Sequence, residues 1–239
     1  MDLVALGEVC KINPRLSRHP SLSETCSFVP MDCIDEAAGR ITRKHVRHIA
    51  DVQKGYTPFQ NDDVLFAKIT PCMENGKSAI ATNLLNGVGY GSTEFHVIRA
   101  GARIAPRWVF YYLRQQHTRK QAEQRMTGSA GQKRVPTLFL EELLIPLPPL
   151  PEQQRIAALL DQGDHLRRTR RYAKQLSDAF LQAVFLEMFG DPLKNPKGWD
   201  TVELAELVQA FQGGINFSPV SENSPSSVWR VLRGCPVIT

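Results

Sequence analysis

The sequence predicts an α+β protein, in which a mixed domain is followed by a long helix and by a partial second domain. Short runs rich in Val, Ile, Phe and Thr alternate with Gly, Asn and Pro in the first hundred residues, which is typical of strands joined by turns. A stretch without proline then extends from Glu152 to about Phe189, with apolar residues at seven-residue spacing, which indicates a helix. These changes of pattern predict segments at residues 1–150, 151–190 and 191–239.

The first segment contains three clear strand candidates and one helix candidate. The runs CSFVPMDCI, DDVLFAKIT and STEFHVIRA are predicted to be strands. Pro106 opens the stretch APRWVFYYLRQQHTRKQAEQRM, where proline suits a first helical turn, so one helix is expected there. The following TGSAGQKR has two glycines among small polar residues and is predicted to be a loop.

A boundary follows this loop. The apolar run VPTLFLEELL looks like a strand. Prolines 146, 148, 149 and 151 follow it, and they require an extended chain, because proline has no N–H to donate to a sheet and does not fit inside a helix. The predicted helix after them would reach roughly 55 Å at 1.5 Å per residue. Packing against another helix is expected through Leu159, Leu166, Leu176 and Phe180, and the alternative is a helix folded back on its own domain.

The composition is that of a globular protein. Hydrophobic residues make up 42% of the chain and charged residues 22%. Neither an apolar run of about eighteen residues nor a signal peptide is present, so a cytoplasmic protein without a membrane span is expected. The five cysteines include no CxxC pair, which argues against a zinc site or a disulfide framework.

The positive charge is concentrated in the first segment. Residues 1–150 hold 19 Lys and Arg against 14 Asp and Glu, and residues 99–134 hold nine basic residues against one acidic residue. A polyanion is a natural partner for such a surface, because neutralising phosphates releases condensed counterions. The alternative is a solvated basic helix face.

Catalytic motifs are missing from the sequence. It has no Walker loop, no GxGxxG and no GxSxG. Asp63 before Lys68, and Glu74 before Lys77, resemble nuclease groups only vaguely, because their spacing is not that of a nuclease. The HxxH in RKHVRH lies on a polar stretch without a third ligand nearby, so no metal site is predicted.

Two segments carry side chains suited to nucleic acid. In FAKITPCMENGKSA, Lys68, Thr70 and Lys77 flank a predicted turn and are expected to face the same edge. In GSAGQKRV, small residues allow close backbone approach, while amide and guanidinium groups can pair with adenine and guanine. Phosphate or base-edge contacts to a nucleic acid are therefore expected from Lys68, Thr70, Lys77, Gln132, Lys133 and Arg134.

The start of the chain is repeated near its end. DLVALGEVCKI and DTVELAELVQA, which begins at residue 200, share the pattern V-x-L-x-E-V/L. The sequence therefore begins its first unit a second time, and about 40 residues remain after that point.

Taken together, these blocks resemble the specificity subunits of type I restriction-modification systems. The resemblance rests on LGEVCKI, DDVLFAKITPCMENGKSAIA, GSTEFHVIRA, GSAGQKRVPTLFLEELLIPLPPLPEQQRIAALLD and FGDPLKNPKGWDTVELAELV, in the family's order. It implies a first target recognition domain at 1–150, a conserved long helix at 151–190 and the start of an incomplete second recognition domain at 191–239. Family members read two DNA half-sites separated by a spacer that the helices fix.

The resemblance also implies a division of labour. The chain would be a non-catalytic DNA-recognition subunit that binds double-stranded DNA together with methyltransferase (M) and restriction (R) subunits. It would hold no cofactor itself, and S-adenosylmethionine, ATP and Mg²⁺ would belong to those partners. The edge of the recognition domain that faces DNA would carry the contacts Lys68, Thr70, Lys77, Gln132, Lys133 and Arg134, with Arg43 and Lys44 behind them.

Several alternatives stay open at this point. The chain would be a functional or a non-functional subunit truncated within its second recognition domain, or a half-subunit that self-associates through its long helix. A DNA-modifying or DNA-cleaving enzyme in its own right is a second class of protein, and a helical assembly protein with an incidental basic surface is a third.

Overall fold

The computed structural model describes residues 2–129, 131–203 and 206, and its contacts divide the chain into two units, Met1–Gln175 and Leu176–Thr239. The strands are β1 Leu3–Ala5, β2 Cys10–Ile12, β3 Thr25–Val29, β4 Ile34–Asp35, β5 Arg40–Ile41, β6 His45–His48, β7 Thr57–Gln60, β8 Val64–Ala67, β9 Ser78–Ile80, β10 Val88–Gly91, β11 Phe95–Ala100 and β12 Leu144–Pro146. The α-helices are α1 Leu6–Val9, α2 Ile49–Val52, α3 Pro106–Arg114, α4 Gln116–Gln124, α5 Thr137–Glu142 and α6 Leu150–Phe189, and single 3-10 turns occur at Met31–Cys33 and Leu85–Gly87.

Two four-stranded sheets form the centre of the first unit. One has the order β2-β11-β8-β9 and is antiparallel throughout, with Phe95 opposite Ala67 and Ile98 opposite Ile12. The other has the order β6-β3-β10-β7, and its β3 and β10 are parallel. The pairs β1-β12 and β4-β5 complete the unit, so the predicted α+β class is confirmed.

Strand β8 is buried on both faces. Its side chains alternate in direction, and Val64 and Phe66 pack in one hydrophobic cluster with α1, α3 and α5. Leu65 packs in a second cluster, with Val29 and Phe59. A strand covered on both faces needs apolar residues at every position, which explains the unbroken VLFA in the predicted DDVLFAKIT strand.

The predicted helix after Pro106 is divided in two. Helix α3 ends at Arg114, Gln115 is extended with ψ 140°, and α4 begins at Gln116. An unbroken helix would continue the buried face of Leu113 onto polar residues at 116, 117 and 120. The break shifts the phase of the helix, so that Thr118 and Ala122 are buried instead.

The strand-like interpretation of VPTLFLEELL is wrong for most of that run. Residues Thr137–Glu142 form helix α5, which begins directly after Pro136 and buries Leu140. Only Leu144–Pro146, in β12, is extended and paired, with Leu3 opposite Pro146. A six-residue apolar segment has no clear period, and the buried contact of α5 with α1 decides its conformation.

The long helix is confirmed, and the fully buried side chain of Gln153 attaches it to the mixed domain. Its Oε1 accepts the N–H of Ala105 at 2.9 Å. Its Nε2 donates to the carbonyls of Arg103 at 3.0 Å and of Pro148 at 2.8 Å. One amide therefore joins the start of α3, the proline segment and the first turn of α6.

The next turns of α6 extend this attachment along one face. Tyr111 donates its hydroxyl to Asp161 at 2.7 Å and to Asp164 at 3.2 Å, and Arg107 forms an ion pair with Asp161. Ala157, which lies between Gln153 and Asp161 along the helix, is also buried. The four helix positions follow one another at intervals of three or four residues, so they lie on a single face.

The predicted helix-packing residues are exposed in the isolated chain. Leu159 and Leu166 occur about half a turn away from the face that carries Gln153, because each residue turns the helix by about 100°. Their exposed fractions are 54% and 68%, and Leu176 and Phe180 are exposed at 54% and 63%. The side of the helix that carries Leu159 and Leu166 is exposed, whereas the side that carries Gln153 packs on the first unit. Among the described residues, no helix is both long and apolar enough to cross a bilayer.

Within the second unit, the described residues close the end of α6. Gly190, with φ +82°, donates its N–H to Leu186 in the left-handed conformation that ends many helices. Lys197 donates to the carbonyls of Glu187 and Met188, and the Trp199 indole donates to Phe189. Most of the second copy of the V-x-L-x-E pattern, and most of the predicted third segment, lie outside the described residues.

Replacing Gln153 by alanine is expected to destabilise the first unit by roughly 3 kcal/mol, because two carbonyls and one N–H would be left buried without partners. The measurement is chemical denaturation of the full chain followed by circular dichroism. Gln162→Ala, at an exposed position of the same helix, is the matched control. Equal stability of the two variants would contradict the role given to Gln153.

A second buried polar group, His96, is held as a neutral imidazole. Asn13 Oδ1 accepts the N–H of Val97 at 3.0 Å, so the Asn13 amide nitrogen faces His96 Nδ1 at 3.1 Å and the ring must accept there. His96 Nε2 then donates to Val135 O at 2.8 Å. A second proton on the ring would face another donor, and burial already lowers the pKa of His96 below its ordinary 6.5.

The stability of the first unit is therefore expected to fall as the pH drops below about 6.5, since the unfolded state then binds a proton that the folded state resists. Between pH 7.5 and 5.5 the loss from this group is at most about 1.4 kcal/mol, the value for a ring that stays neutral in the folded state throughout. Denaturation midpoints across this range give the measurement. His96→Gln should flatten the profile, whereas His117→Gln, at an exposed position, should leave it unchanged.

Candidate nucleic-acid interface

The predicted loop at 127–134 is a short hairpin. Thr127 and Arg134 face each other as an antiparallel pair, with N–H to carbonyl distances of 3.0 and 2.8 Å. Between them Gln132 donates its N–H to Ser129 at 3.0 Å, which closes a turn. We call residues 127–134 the basic hairpin; Ala130 within it lies outside the described residues.

A glycine is required at the base of this hairpin. Gly128 has φ +124°, and a Cβ at that position would lie 2.9 Å from the carbonyl oxygen of Gln132. Any side chain would therefore be strained and would also push against the returning strand. The small residues that predicted a loop permit a tight turn.

The basic hairpin is hydrogen-bonded to the segment that follows β8. Thr70 donates its N–H to Lys133 O at 3.0 Å, and Val135 donates to Lys68 O at 2.8 Å. Ile69 and Arg134 form an antiparallel bridge. Residues 68–70 and 132–134, more than sixty positions apart in sequence, thus form one edge, which we call the rim.

Three of the predicted contact residues on the rim have side chains that remain available. Gln132 and Lys133 are exposed, and Lys68 is half-buried. The polar groups of these three side chains make no hydrogen bond with the described residues. Two ammonium groups and one amide are therefore available at the rim for a ligand.

The other two predicted rim residues are engaged within the chain. The Thr70 hydroxyl donates to Glu74 Oε1 at 2.5 Å. Arg134 binds Glu94 through two parallel hydrogen bonds of 2.9 Å, from Nε and Nη2, and donates a third from Nη1 to the carbonyl of Gln132. The guanidinium of Arg134 lowers the pKa of Glu94, so this pair stays ionised at neutral pH.

The three remaining predicted cations lie elsewhere. Lys77 donates to Met31 O at 3.3 Å, and Arg43 lies 3.9 Å from Asp32 in the same 3-10 turn. Lys44 donates to the carbonyls of two successive residues, 82 and 83, at 2.6 and 3.0 Å. The structure therefore brings together the 68–70 and 132–134 parts of the predicted site and attaches its other members to two separate turns.

Two arginines bind the turn at residues 71–77, which directly follows the rim residue Thr70, and the sequence analysis did not identify them. Arg114 donates to Gly76 O at 3.0 Å and stacks over Phe110, and burial lowers its pKa. Arg119 donates to Glu74 O at 2.6 Å. Both fix the turn at residues 71–77, which has carbonyls to satisfy, although the sequence pattern alone predicts only a basic helix surface.

The two carboxylates that vaguely resemble nuclease groups have partners within the chain. Asp63 is fully buried, accepts two hydrogen bonds from Arg99 at 2.7 and 2.8 Å, and accepts a third from the N–H of Gln60. Glu74 binds Thr70. In the described part of the chain, no group of three or more His, Cys, Asp or Glu side chains could hold a metal ion. The chemistry that the rim offers is hydrogen-bond donation and positive charge.

Comparison with known families matches residues 1–174 to the type I restriction modification DNA specificity domain. The chain is 43% identical over 156 residues to the type I restriction enzyme EcoAI specificity subunit of Escherichia coli. It is 41% identical over 156 residues to the EcoEI specificity subunit of the same organism. Each match covers 65% of this chain and 26% of the relative, so the chain spans about a quarter of the length of these relatives.

Two solved structures share the fold. The HsdS subunit from Thermoanaerobacter tengcongensis matches with a TM-score of 0.55 and 26% identity. A structure from work on complex assembly and conformational transition of the type I R-M system matches with a TM-score of 0.58 and 26% identity. Both matches cover 84% of this chain and 51% of the other chain. The family model, the curated relatives and the fold agree: the chain belongs to the family of type I restriction-modification specificity subunits.

Proposed function

We propose that this chain is a DNA-recognition subunit that reads one half of a bipartite target in double-stranded DNA. The observation that carries the proposal is the rim, where two segments distant in sequence meet. The side chains of Lys68, Gln132 and Lys133 have no hydrogen-bond partner there in the described chain. It rests also on membership of the specificity family, whose relatives in Escherichia coli are specificity subunits of type I restriction enzymes.

The chemistry of the three side chains fits a duplex. Lysine ammonium groups bind phosphates as point charges, and they can also reach the acceptor atoms of guanine. The amide of Gln132 carries a donor and an acceptor side by side, which is the pattern that adenine presents in the major groove. Phosphate contacts would fix the register of the rim on the duplex, and the amide would contribute to reading bases.

The chain itself would not catalyse methylation or cleavage. Of the two carboxylates that vaguely resemble nuclease groups, Asp63 is fully buried and accepts two hydrogen bonds from Arg99, and Glu74 accepts one from the Thr70 hydroxyl. Methyltransferase and restriction subunits would supply both reactions, and they would bring S-adenosylmethionine, ATP and Mg²⁺.

The exposed face of α6 would hold a second helix. Leu159, Leu166 and Phe180 share this face at seven-residue intervals, with Leu176 beside them, and all four are exposed. Exposed leucine and phenylalanine over several turns favour association, because burial of each such side chain removes apolar surface from water. We propose that the partner helix comes from a second copy of the chain, so that two recognition domains are combined.

Lys68→Ala and Lys133→Ala are each expected to weaken binding of the full chain to a random-sequence 40-bp duplex by about tenfold, the loss of about 1.4 kcal/mol. The slope of log affinity against log salt should fall by about 1 in each variant, because one phosphate contact is lost. Fluorescence anisotropy between 50 and 200 mM salt gives both values.

Lys54→Ala is the matched control for these variants, since Lys54 is exposed and follows α2, which packs against the other sheet. Equal affinities of all three variants for the duplex would show that the rim is not part of the DNA interface. Binding of the parent chain that does not depend on salt would contradict the proposed function itself.

Leu166→Asp and Leu176→Asp are expected to reduce self-association of the chain by at least tenfold, because each puts a charge into an apolar contact. Sedimentation equilibrium measures the dissociation constant. Leu22→Asp, at an exposed leucine of the first unit, makes the same change away from the helix and should leave the association unchanged. The same mass for all variants at every concentration would exclude α6 as the contact.

A further inference from the structure

The role of Arg134 differs from that of its neighbours on the rim. Its sequence context, GQKRV, predicts a contact to DNA, yet three of its five N–H donors are used inside the chain. Two of these donors bind Glu94 in the parallel geometry that is specific to arginine and a carboxylate. A guanidinium held in this way is poorly placed to bind a phosphate at the same time.

Glu94 contacts both halves of the rim. Its carbonyl accepts the N–H of Lys68 at 2.9 Å, and its carboxylate binds Arg134 in the basic hairpin. Its own N–H donates to the Ser92 hydroxyl at 3.2 Å, which fixes the turn before β11. One residue from a third segment thus links the 68–70 segment and the basic hairpin.

The charge of Glu94 is unexpected at a DNA-facing edge. A carboxylate repels phosphates, so its presence there opposes long-range attraction of DNA. Arg134 neutralises it locally, and the pair as a whole adds no net charge to the rim. The attraction then comes from Lys68 and Lys133, and the pair contributes geometry.

We propose that Glu94 is a positioning residue of the rim: together with Arg134 it orders the basic hairpin before DNA arrives, and Arg134 is its structural partner and makes no contact to DNA. This inference rests on the proposed function. A hairpin that is ordered in the free chain loses less conformational entropy on binding, so affinity rises without any added contact.

The closing experiment uses Glu94→Gln, for which the two roles of Arg134 predict opposite signs. If Glu94 positions the hairpin, the variant binds the random-sequence duplex about five- to tenfold more weakly, with an unchanged salt slope, although its net charge is one unit more positive. If Arg134 is a contact that Glu94 holds back, the variant binds more tightly, and its salt slope rises by about 1. Tighter binding would overturn the proposal.

Glu24→Gln is the matched control. Glu24 also accepts two hydrogen bonds from an arginine, Arg18, at 3.2 and 2.9 Å, but outside the rim, so the same charge and the same kind of pair are removed. Equal effects of the two variants would overturn the proposal. Arg134→Lys keeps the charge and loses the paired geometry, and it is expected to weaken binding as Glu94→Gln does.

A measurement without DNA separates this inference from the proposed function. The Thr70 amide bonds to Lys133 across the rim, and the Arg134 amide bonds to Thr127 within the basic hairpin. Hydrogen exchange of both amides is expected to become about tenfold faster in Glu94→Gln than in the parent chain. If the parent chain does not bind duplex DNA, the proposed function is wrong. The exchange rates of the two amides still show whether Glu94 orders the hairpin. Unchanged exchange with normal DNA binding would overturn the positioning role alone.

Discussion

The hydrogen bonds of the Gln153 amide determine how the mixed domain continues into the long helix. Prolines around residue 148 supply carbonyls but no N–H groups, so this part of the backbone cannot satisfy itself. A side chain that both donates and accepts solves the problem, and Gln153 does so with three backbone groups from the proline segment and from the approach to α3. A charged or purely apolar side chain at this buried position would leave at least one of these groups without a partner.

This attachment also fixes which face of α6 is available to a partner. Asp161 and Asp164 continue the face of Gln153 and contact Tyr111, whose pKa burial raises, so the hydroxyl stays a donor. Once these turns are held, rotation of the helix about its axis is excluded. Leu159 and Leu166 must then point away from their own domain. The exposed apolar face is therefore a consequence of polar contacts on the opposite side.

The strands and the long helix could be predicted from sequence because their patterns are strong. A run of four buried apolar residues such as β8, or thirty-eight residues without proline, leaves few alternatives. The break at Gln115 and the short helix α5 depend on tertiary packing, which no local pattern records. The chemistry of the 68–70 and 132–134 segments predicts contacts to nucleic acid from each, and only the family resemblance places both at one edge. The bridge between Ile69 and Arg134 is a long-range contact that spacing cannot reveal.

Side-chain partners are the least predictable part of the site, because a sequence shows where charge is but not how it is used. Of the nine basic residues between 99 and 134, five bind groups of their own chain: Arg99, Arg107, Arg114, Arg119 and Arg134. All five are arginines, whose fixed array of donors suits carboxylates and pairs of carbonyls, whereas the lysines Lys120 and Lys133 stay exposed. The local excess of positive charge therefore overstates the charge that a duplex would meet. Recognition by this domain would depend on a few free side chains in a fixed position, with the arginines holding the backbone that carries them.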